Sequence, residues 1–396
     1  MNPSNYRLIK LNSKRTFYLF NQKELKLEYL SLSKWLSKRY PPSTSRNLAI
    51  SKVIRSLSYG EYSFTDKGHY RLDSTKKTII RGDIKDFFPS INKHFLYSKL
   101  IRSFNVSIPE TKRKLLADLL LDPAFIGLPQ GISVSSILSE IYLEDFDNLM
   151  KIYFPHCTYI RYVDDFLLIC PYEEAYNYHF KEIIIKILHS MNLQLSSDKF
   201  KKITFVNKTH FQFLGYQFTN SDKNLILSIS KSKVKKIQNR LTGYFQEYRH
   251  SGLNKKQKFQ ILYYKIFNTF YGVTTIGPDS YKIQKIGIPF SYPKITTSGN
   301  FQKFFSNIHY QIERTPQLSS KEIDKINKIY HNYSYSFQGK RHLHTSDILL
   351  NNKYNYMKLS IKKIIQITKL IDPSFKYTKQ SSIGLLHNFF YTLYKK

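Results

Sequence analysis

Apolar and polar positions along this chain follow two different periods, and the change between them falls near residues 220–230. Before it, short runs rich in β-branched and aromatic residues (Thr78–Ile84, Thr158–Tyr162, Phe166–Cys170, Phe211–Phe218) alternate with longer segments of helical spacing, such as Ser135–Met150 and Glu173–Met191. Runs of that length favour strands and the 3.6-residue spacing favours helices, so this half is predicted to be an α/β domain. Beyond the change, helical spacing dominates. Val234, Ile237, Leu241 and Tyr244 recur at that spacing with Lys231, Lys233, Lys235, Lys236 and Arg240 around them, which predicts a helix with one packed and one basic face. The Gly/Pro/Ser stretch from Gly272 to Asn300 reads as a looser connection. A last helical segment, rich in Lys and Tyr, follows from about residue 320 to 396.

Composition sets limits on what such a chain can be. Its 396 residues are 41% hydrophobic and 16% aromatic, enough to bury cores, and the length suits roughly two or three domains. The longest apolar runs fall well short of the roughly 20 residues of a membrane span, and Met1 to Tyr6 has no signal-peptide character. No membrane span is therefore expected, and a cytoplasmic location is. An anionic membrane surface, the alternative to nucleic acid for so basic a chain, is set aside as a partner because the charge is divided into an acidic centre and two basic arms. Cys157 and Cys170 are the two cysteines and no Cys-x-x-Cys pair occurs, so neither a disulfide framework nor a structural zinc site is expected. Any metal would be held mainly by oxygens or histidine.

Charge changes the picture more. Lys+Arg 62 against Asp+Glu 28 leaves a formal net charge of +34, a field that attracts polyanions and makes nucleic acid the leading partner. The excess is unevenly spread. Residues 1–100 carry 20 basic and 7 acidic side chains, residues 221–396 carry 30 and 8, and residues 101–200 carry 9 and 13. A locally acidic centre thus lies between two basic arms, the arrangement expected where carboxylates hold cations inside a protein that grips a phosphate backbone.

The acidic residues of that centre fall in strand-like surroundings. In Thr158-Tyr-Ile-Arg-Tyr-Val-Asp-Asp-Phe-Leu-Leu-Ile-Cys170, two β-forming runs flank Asp164-Asp165, which reads as a hairpin with adjacent carboxylates at its turn. Upstream, the run beginning at Thr78 ends at Asp83, followed by Phe87 and Phe88. Between them Gly127-Leu-Pro-Gln-Gly131 is a Pro/Gly turn leading into an apolar helix. Two divalent ions roughly 3.5–4 Å apart need carboxylates from separate strands, so that a 3′-hydroxyl is activated and a triphosphate neutralised. Asp83 and Asp164 are 81 residues apart and meet only if their strands lie side by side.

Asp83-Ile84 with Phe87-Phe88, Leu128-Pro-Gln-Gly131, Tyr162-Val-Asp-Asp165 and Phe213-Leu-Gly-Tyr216 resemble, in order, the motifs of reverse transcriptases, especially bacterial ones: retron, group II intron, abortive-infection and defence-associated enzymes. The resemblance covers about residues 1–245. It implies a right-hand polymerase, with α/β fingers and palm at 1–225, a helical thumb at 226–315 and a basic α-helical C-terminal extension at 316–396. It also implies two Mg²⁺ ions, with Mn²⁺ as the alternative, and a dNTP substrate. By match to the motifs, Asp83 and Asp164 are the principal ligands, the Ile84 carbonyl a further one and Asp165 an accessory carboxylate. Phe88 is similar to the ring that excludes a ribose 2′-hydroxyl, and Gln130 to the residue lining the incoming nucleotide. Arg15, in Lys10-Leu-Asn-Ser-Lys-Arg-Thr-Phe-Tyr-Leu19, matches an arginine that clamps the triphosphate. Lys199 matches a lysine that protonates the leaving pyrophosphate, a role open also to Lys201 or Lys202. Asp86 is expected at the surface or as a helix cap.

Departures from subfamilies narrow the resemblance. An Asn-Ala-x-x-His element and a thumb Val-Thr-Gly, both usual in retrons, are missing, and Gly272-Val-Thr-Thr275 is a poor substitute. Cysteines confined to the palm region leave no site for the group II intron endonuclease metal, and eight scattered carboxylates over residues 221–396 do not make an RNase H site. The resemblance therefore runs closest to the defence-associated and abortive-infection groups. It implies an RNA-directed DNA polymerase whose partners are a non-coding RNA template and its DNA product, acting in anti-phage defence. Two alternatives stand beside it: template-independent or protein-primed synthesis, with Tyr391 or Tyr394 as priming hydroxyl, and a catalytically silent RNA-binding scaffold or maturase-like factor. Self-association through the C-terminal helices is left open.

Overall fold

The computed structural model describes residues 6–12, 15–40, 44–59, 69–103, 108–176, 178–278, 282–339 and 353–395. Contacts divide the chain into two units, one of residues 1–60 and 73–209, the other of residues 61–72 and 210–396.

The first unit opens with a hairpin, β1 (Tyr6–Asn12) and β2 (Arg15–Phe20), and two helices, α1 (Lys23–Arg39) and α2 (Arg46–Leu57). A short strand, β3 (Tyr70–Arg71), belongs to the second unit. Then come β4 (Lys77–Asp83), α3 (Phe87–Ser90), α4 (Lys93–Ser103), α5 (Glu110–Leu120), α6 (Ser135–Tyr142) and α7 (Glu144–Tyr153). A hairpin of β5 (Thr158–Tyr162) and β6 (Asp165–Pro171), then α8 (Phe180–Ser190) and β7 (Lys201–Phe205), complete the unit. Its main sheet is antiparallel throughout in the order β5-β6-β4-β7. Ile80, Phe166 and Leu168 from the sheet share one buried cluster with Leu138, Phe146 and Met150 of α6 and α7 and Ile184 and Leu188 of α8. Each such side chain contributes about 1.5–3 kcal/mol when fully buried.

Three differences from the sequence reading lie here, one being that the predicted helix Glu173–Met191 is confined to Phe180–Ser190. The apolar segment Ser135–Met150 is two helices rather than one, broken at Leu143. Cys157 and Cys170, from which the sequence predicts no disulfide framework, are joined by a disulfide. The β5–β6 register pairs Thr158 with Ile169, so one step outward the two cysteines face each other, with Cα atoms 4.3 Å apart.

The second unit continues with β8 (His210–Phe213), β9 (Tyr216–Ser221) and β10 (Asn224–Ile229), which form with β3 a sheet in the order β3-β10-β9-β8. Phe211–Phe218 reads as one strand in sequence. It is a hairpin instead, because Leu214 (φ 47°) and Gly215 (φ 81°) turn the chain between Phe213 and Tyr216, the two positive φ values of a type I′ turn. Helices α9 (Lys231–His250) and α10 (Lys255–Phe270) follow, then β11 (Gly272–Ile276), β12 (Ile283–Ile286), α11 (Ile288–Ser291), α12 (Gly299–Glu313) and α13 (Ser320–Gly339). The last elements are β13 (Lys353–Asn355), α14 (Ile361–Ile371) and α15 (Ser382–Lys395). The expected connection from Gly272 onward thus contains two strands of a β12-β11-β13 sheet. In α9, Val234, Ile237 and Leu241 are buried as the spacing predicts. No helix among the described residues is long and apolar enough to cross a membrane.

One residue of β4 shows how tightly the first sheet is packed. Gly82 lies opposite Phe166, and a Cβ on it would stand 2.1 Å from the ring's Cζ. We expect Gly82→Ala to destabilise the protein by about 1–3 kcal/mol, because overpacking a fixed core outweighs the roughly 0.4–1 kcal/mol gained by stiffening the unfolded chain. Urea denaturation checks this; an unchanged or raised midpoint would contradict it.

Candidate active site

Pairing of β4 with β6 sets Asp83 opposite Asp165, and the Ile84 amide donates to the Asp164 carbonyl at 3.1 Å. Asp164 sits in the two-residue turn of the β5–β6 hairpin, where Tyr162 pairs with Asp165. One carboxylate oxygen from each of Asp83, Asp164 and Asp165 lies within 4.8 Å of the others. The sequence thus places three acids together by strand register alone, although Asp83 comes from a distant part of the chain. Three converging hard oxygens suit a divalent cation such as Mg²⁺.

The electrostatics fit the same reading. Asp83 is 4% exposed. Burial raises its pKa, the hydrogen bond from Lys199 opposes that rise, and the charge of Asp165 adds to it. Asp164 is pushed up to about 6, first by burial and next by the charge of Asp83. A carboxyl raised in the folded state contributes stability that is full below its unfolded value near 4 and is lost as pH rises through about 6. At neutral pH the cluster therefore carries like charges that a cation would relieve. Basic side chains already offset part of this. Lys199 Nζ donates to Asp83 Oδ1 at 2.7 Å, and Arg81 Nη2 lies 3.4 Å from Asp165 Oδ1. Burial alone would lower the pKa of Lys199, but the bond to Asp83 and the charges of the three aspartates leave it raised.

A cavity of about 680 Å³ brings most of the sequence candidates together: Asp83, Ile84, Phe88, Gln130, Asp164 and Lys199 all line it. Phe87 is buried (3% exposed) and packs edge-on against Phe88, so of the two adjacent rings Phe88 is the one left partly exposed at the site. Gln130 is held from its backbone, its carbonyl accepting from the Tyr18 amide of β2 at 2.8 Å. The preceding turn is anchored to the Phe88 carbonyl by the Leu128 amide at 2.8 Å. Gly127 (φ 62°) permits that approach, since a Cβ there would stand 2.2 Å from the same carbonyl oxygen. Of the three lysines considered, Lys199 reaches the acids, while Lys201 and Lys202 lie along β7 and Lys202 points toward the Ala175 carbonyl. Asp86 is exposed, precedes α3 with φ 43° and makes no side-chain cap bond. Arg15 begins β2, pairing with Asn12; its side chain lies outside the described residues.

Sequence reasoning passed over Arg161, which holds the turn. All five guanidinium N–H groups find acceptors. Nε and Nη2 donate to Asp147 (2.6 and 2.7 Å), Nη1 and Nη2 to Glu140 (3.2 and 2.9 Å), and Nη1 also to the Val163 carbonyl at 3.0 Å. Val163 has φ 57°, a region that a β-branched residue enters only under constraint. The one signal available was a charged residue in an otherwise apolar strand, 4% exposed in the fold.

Residues 28–218 match the profile of the reverse transcriptase (RNA-dependent DNA polymerase) family. That span contains a reverse transcriptase domain, and it holds the three aspartates, Phe88, Gln130 and Lys199. No curated protein matches the chain. Among solved structures, apo telomerase of Candida tropicalis is similar at 14% identity with a TM-score of 0.40, over 92% of this chain and 59% of that one. Telomerase of Candida albicans in complex with a TWJ fragment of telomeric RNA is similar at 17% identity with a TM-score of 0.35, over 86% and 57%. The chain thus spans less than two thirds of the length of either.

Arg161→Met should cost about 3–5 kcal/mol, because Glu140 and Asp147 lose their partner inside the protein. Arg161→Lys should cost less but remain destabilising, since one ammonium cannot serve two carboxylates and a carbonyl in a fork geometry. Chemical denaturation of both variants checks the order; wild-type stability in Arg161→Met would rule out the clamp.

Proposed function

We propose that the chain is an RNA-directed DNA polymerase that adds deoxynucleotides to a 3′-hydroxyl on an RNA template. The observation that carries this reading is the convergence of Asp83, Asp164 and Asp165 inside the matched reverse transcriptase domain. Those carboxylates, with the Ile84 carbonyl beside them, are the residues to hold two Mg²⁺ ions. The chemistry such ions supply is activation of the attacking hydroxyl and neutralisation of the triphosphate.

The chain's own residues do the rest. Lys199, paired with Asp83, is the proton donor toward the leaving pyrophosphate. Phe88 presents a rigid ring to the sugar and excludes a 2′-hydroxyl by contact. Gln130 lines the nucleotide side of the cavity, and Arg15 on the β1–β2 hairpin takes the triphosphate. In this reading residues 1–225 are fingers and palm, 226–315 the thumb and 316–396 a basic extension. The excess of 30 basic over 8 acidic side chains in residues 221–396 supports a hold on structured RNA. The template is an associated non-coding RNA and the setting bacterial anti-phage defence in the cytoplasm, a reading supported by the order and form of the motifs.

Primer extension by the full chain with Mg²⁺, an RNA template and dNTPs tests the proposal. Wild type should incorporate dNTPs, and Asp164→Ala should lose activity by on the order of a thousandfold or more. Phe88→Ala should keep polymerising while its preference for dNTP over rNTP falls by roughly tenfold or more. Equal incorporation by wild type and Asp164→Ala would sink the proposal.

A further inference from the structure

A second cavity, of about 580 Å³, lies wholly within the second unit. Lys233, Lys236 and Arg240 of α9 line one side of it, spaced so that they share a helix face. Among the described residues, no carboxylate lines it. Glu247, the one acidic residue of α9, is not among its lining residues and is held by Lys265, with contacts of 2.7 and 2.6 Å. Asn268, at the end of α10, and Tyr394, on the last helix, also line it.

Asn268 and Tyr394 belong to a buried polar relay. Asn268 is 2% exposed and Tyr356 1%. Tyr356 Oη donates to Asn268 Oδ1 at 2.9 Å, which fixes the amide so that Nδ2 donates to Tyr394 Oη at 3.2 Å. Tyr394 Oη is thereby used as an acceptor, and among the described residues its own proton has no acceptor. Tyr356 lies in an otherwise apolar cluster with Val273, Ile364, Leu386, Phe389 and Phe390. Polar groups in such a place cost stability unless each is satisfied, and this relay ends on the hydroxyl of Tyr394, a residue that lines the cavity. Tyrosine rings, Tyr244, Tyr292 and Tyr394, line the same space.

We infer that this cavity binds a nucleotide through its phosphate, held by Lys236, Arg240 and the Tyr394 hydroxyl with the base against the tyrosine rings. Cationic and neutral donors converge on a lining that holds no acid among the described residues, which suits a phosphate oxygen set. The volume exceeds that of a bare phosphate and falls in the range of small-molecule sites, and stacking on tyrosine tolerates any base. The phosphate is supplied either by the end of a polynucleotide or by a free nucleotide. The inference does not rest on catalysis at the aspartates, since its readout is binding.

Fluorescence anisotropy of the full chain with 3′-labelled RNA carrying a 5′-phosphate or a 5′-hydroxyl tests it, at about 0.3 M salt to screen the general field. AMP serves as competitor. A preference of about tenfold for the 5′-phosphate is expected, lost in Arg240→Gln and reduced severalfold in Tyr394→Phe, which removes one hydroxyl and keeps the ring. If AMP abolishes the preference, free nucleotides share the site; if it does not, the polynucleotide end is the ligand. Equal binding of both RNAs without competition by AMP, or both variants indistinguishable from wild type, would overturn the inference.

Discussion

The repulsion between three carboxylates held within 4.8 Å of one another is the constraint around which the first unit is organised. Asp83, Asp164 and Asp165 would separate if free, and their proximity is imposed by the β4–β6 register and a two-residue turn. The imposed closeness is chemically useful because it is unfavourable: a site that repels itself is relieved by the cations it is built to take. The Lys199 and Arg81 contacts moderate the repulsion without removing it, and burial first, with the charge of Asp83 next, leaves Asp164 pushed up to about 6.

Imposing that geometry requires stiffness nearby. The five donors of Arg161 tie the hairpin to α6 and α7 and hold Val163 in a conformation its branched side chain resists. Gly82 lets the Phe166 ring close over β4 one residue before Asp83. The loop carrying Gln130 is fastened to β2 and to the Phe88 carbonyl rather than left mobile at the surface. Each of these contacts positions a neighbour of the aspartates, so the domain's packing and the site's geometry are one problem.

Much of this was legible in the sequence, and the reasons are specific. Asp83, Asp164 and Asp165 sit at the ends of β-forming runs, which local pattern shows, while their grouping comes from the ordered resemblance to reverse transcriptase motifs. Phe88 is singled out by its match to the family's ring, and adjacency implies only that Phe87 faces elsewhere. What stayed hidden depends on pairings the pattern does not encode. The partners of Arg161 lie on α6 and α7, 21 and 14 residues away, and the Cys157–Cys170 bridge follows from strand register rather than cysteine spacing. The Leu214–Gly215 turn broke a run that composition alone makes continuous. The relay from Tyr356 through Asn268 to Tyr394 links side chains 88 and 126 residues apart, beyond any local signal.

The central claim is that the aspartates are forced together against their own charge, and stability measured against pH in a chelator tests it most directly. At pH 7.5 in EDTA, Asp164→Asn should be more stable than wild type by on the order of 2 kcal/mol, because it removes a buried like charge. The difference should shrink as pH falls through about 6 and vanish below about 4, where Asp164 is protonated in both folded and unfolded chains. An Asp164→Asn variant that is no more stable than wild type at pH 7.5, or whose advantage does not change with pH, would contradict the account.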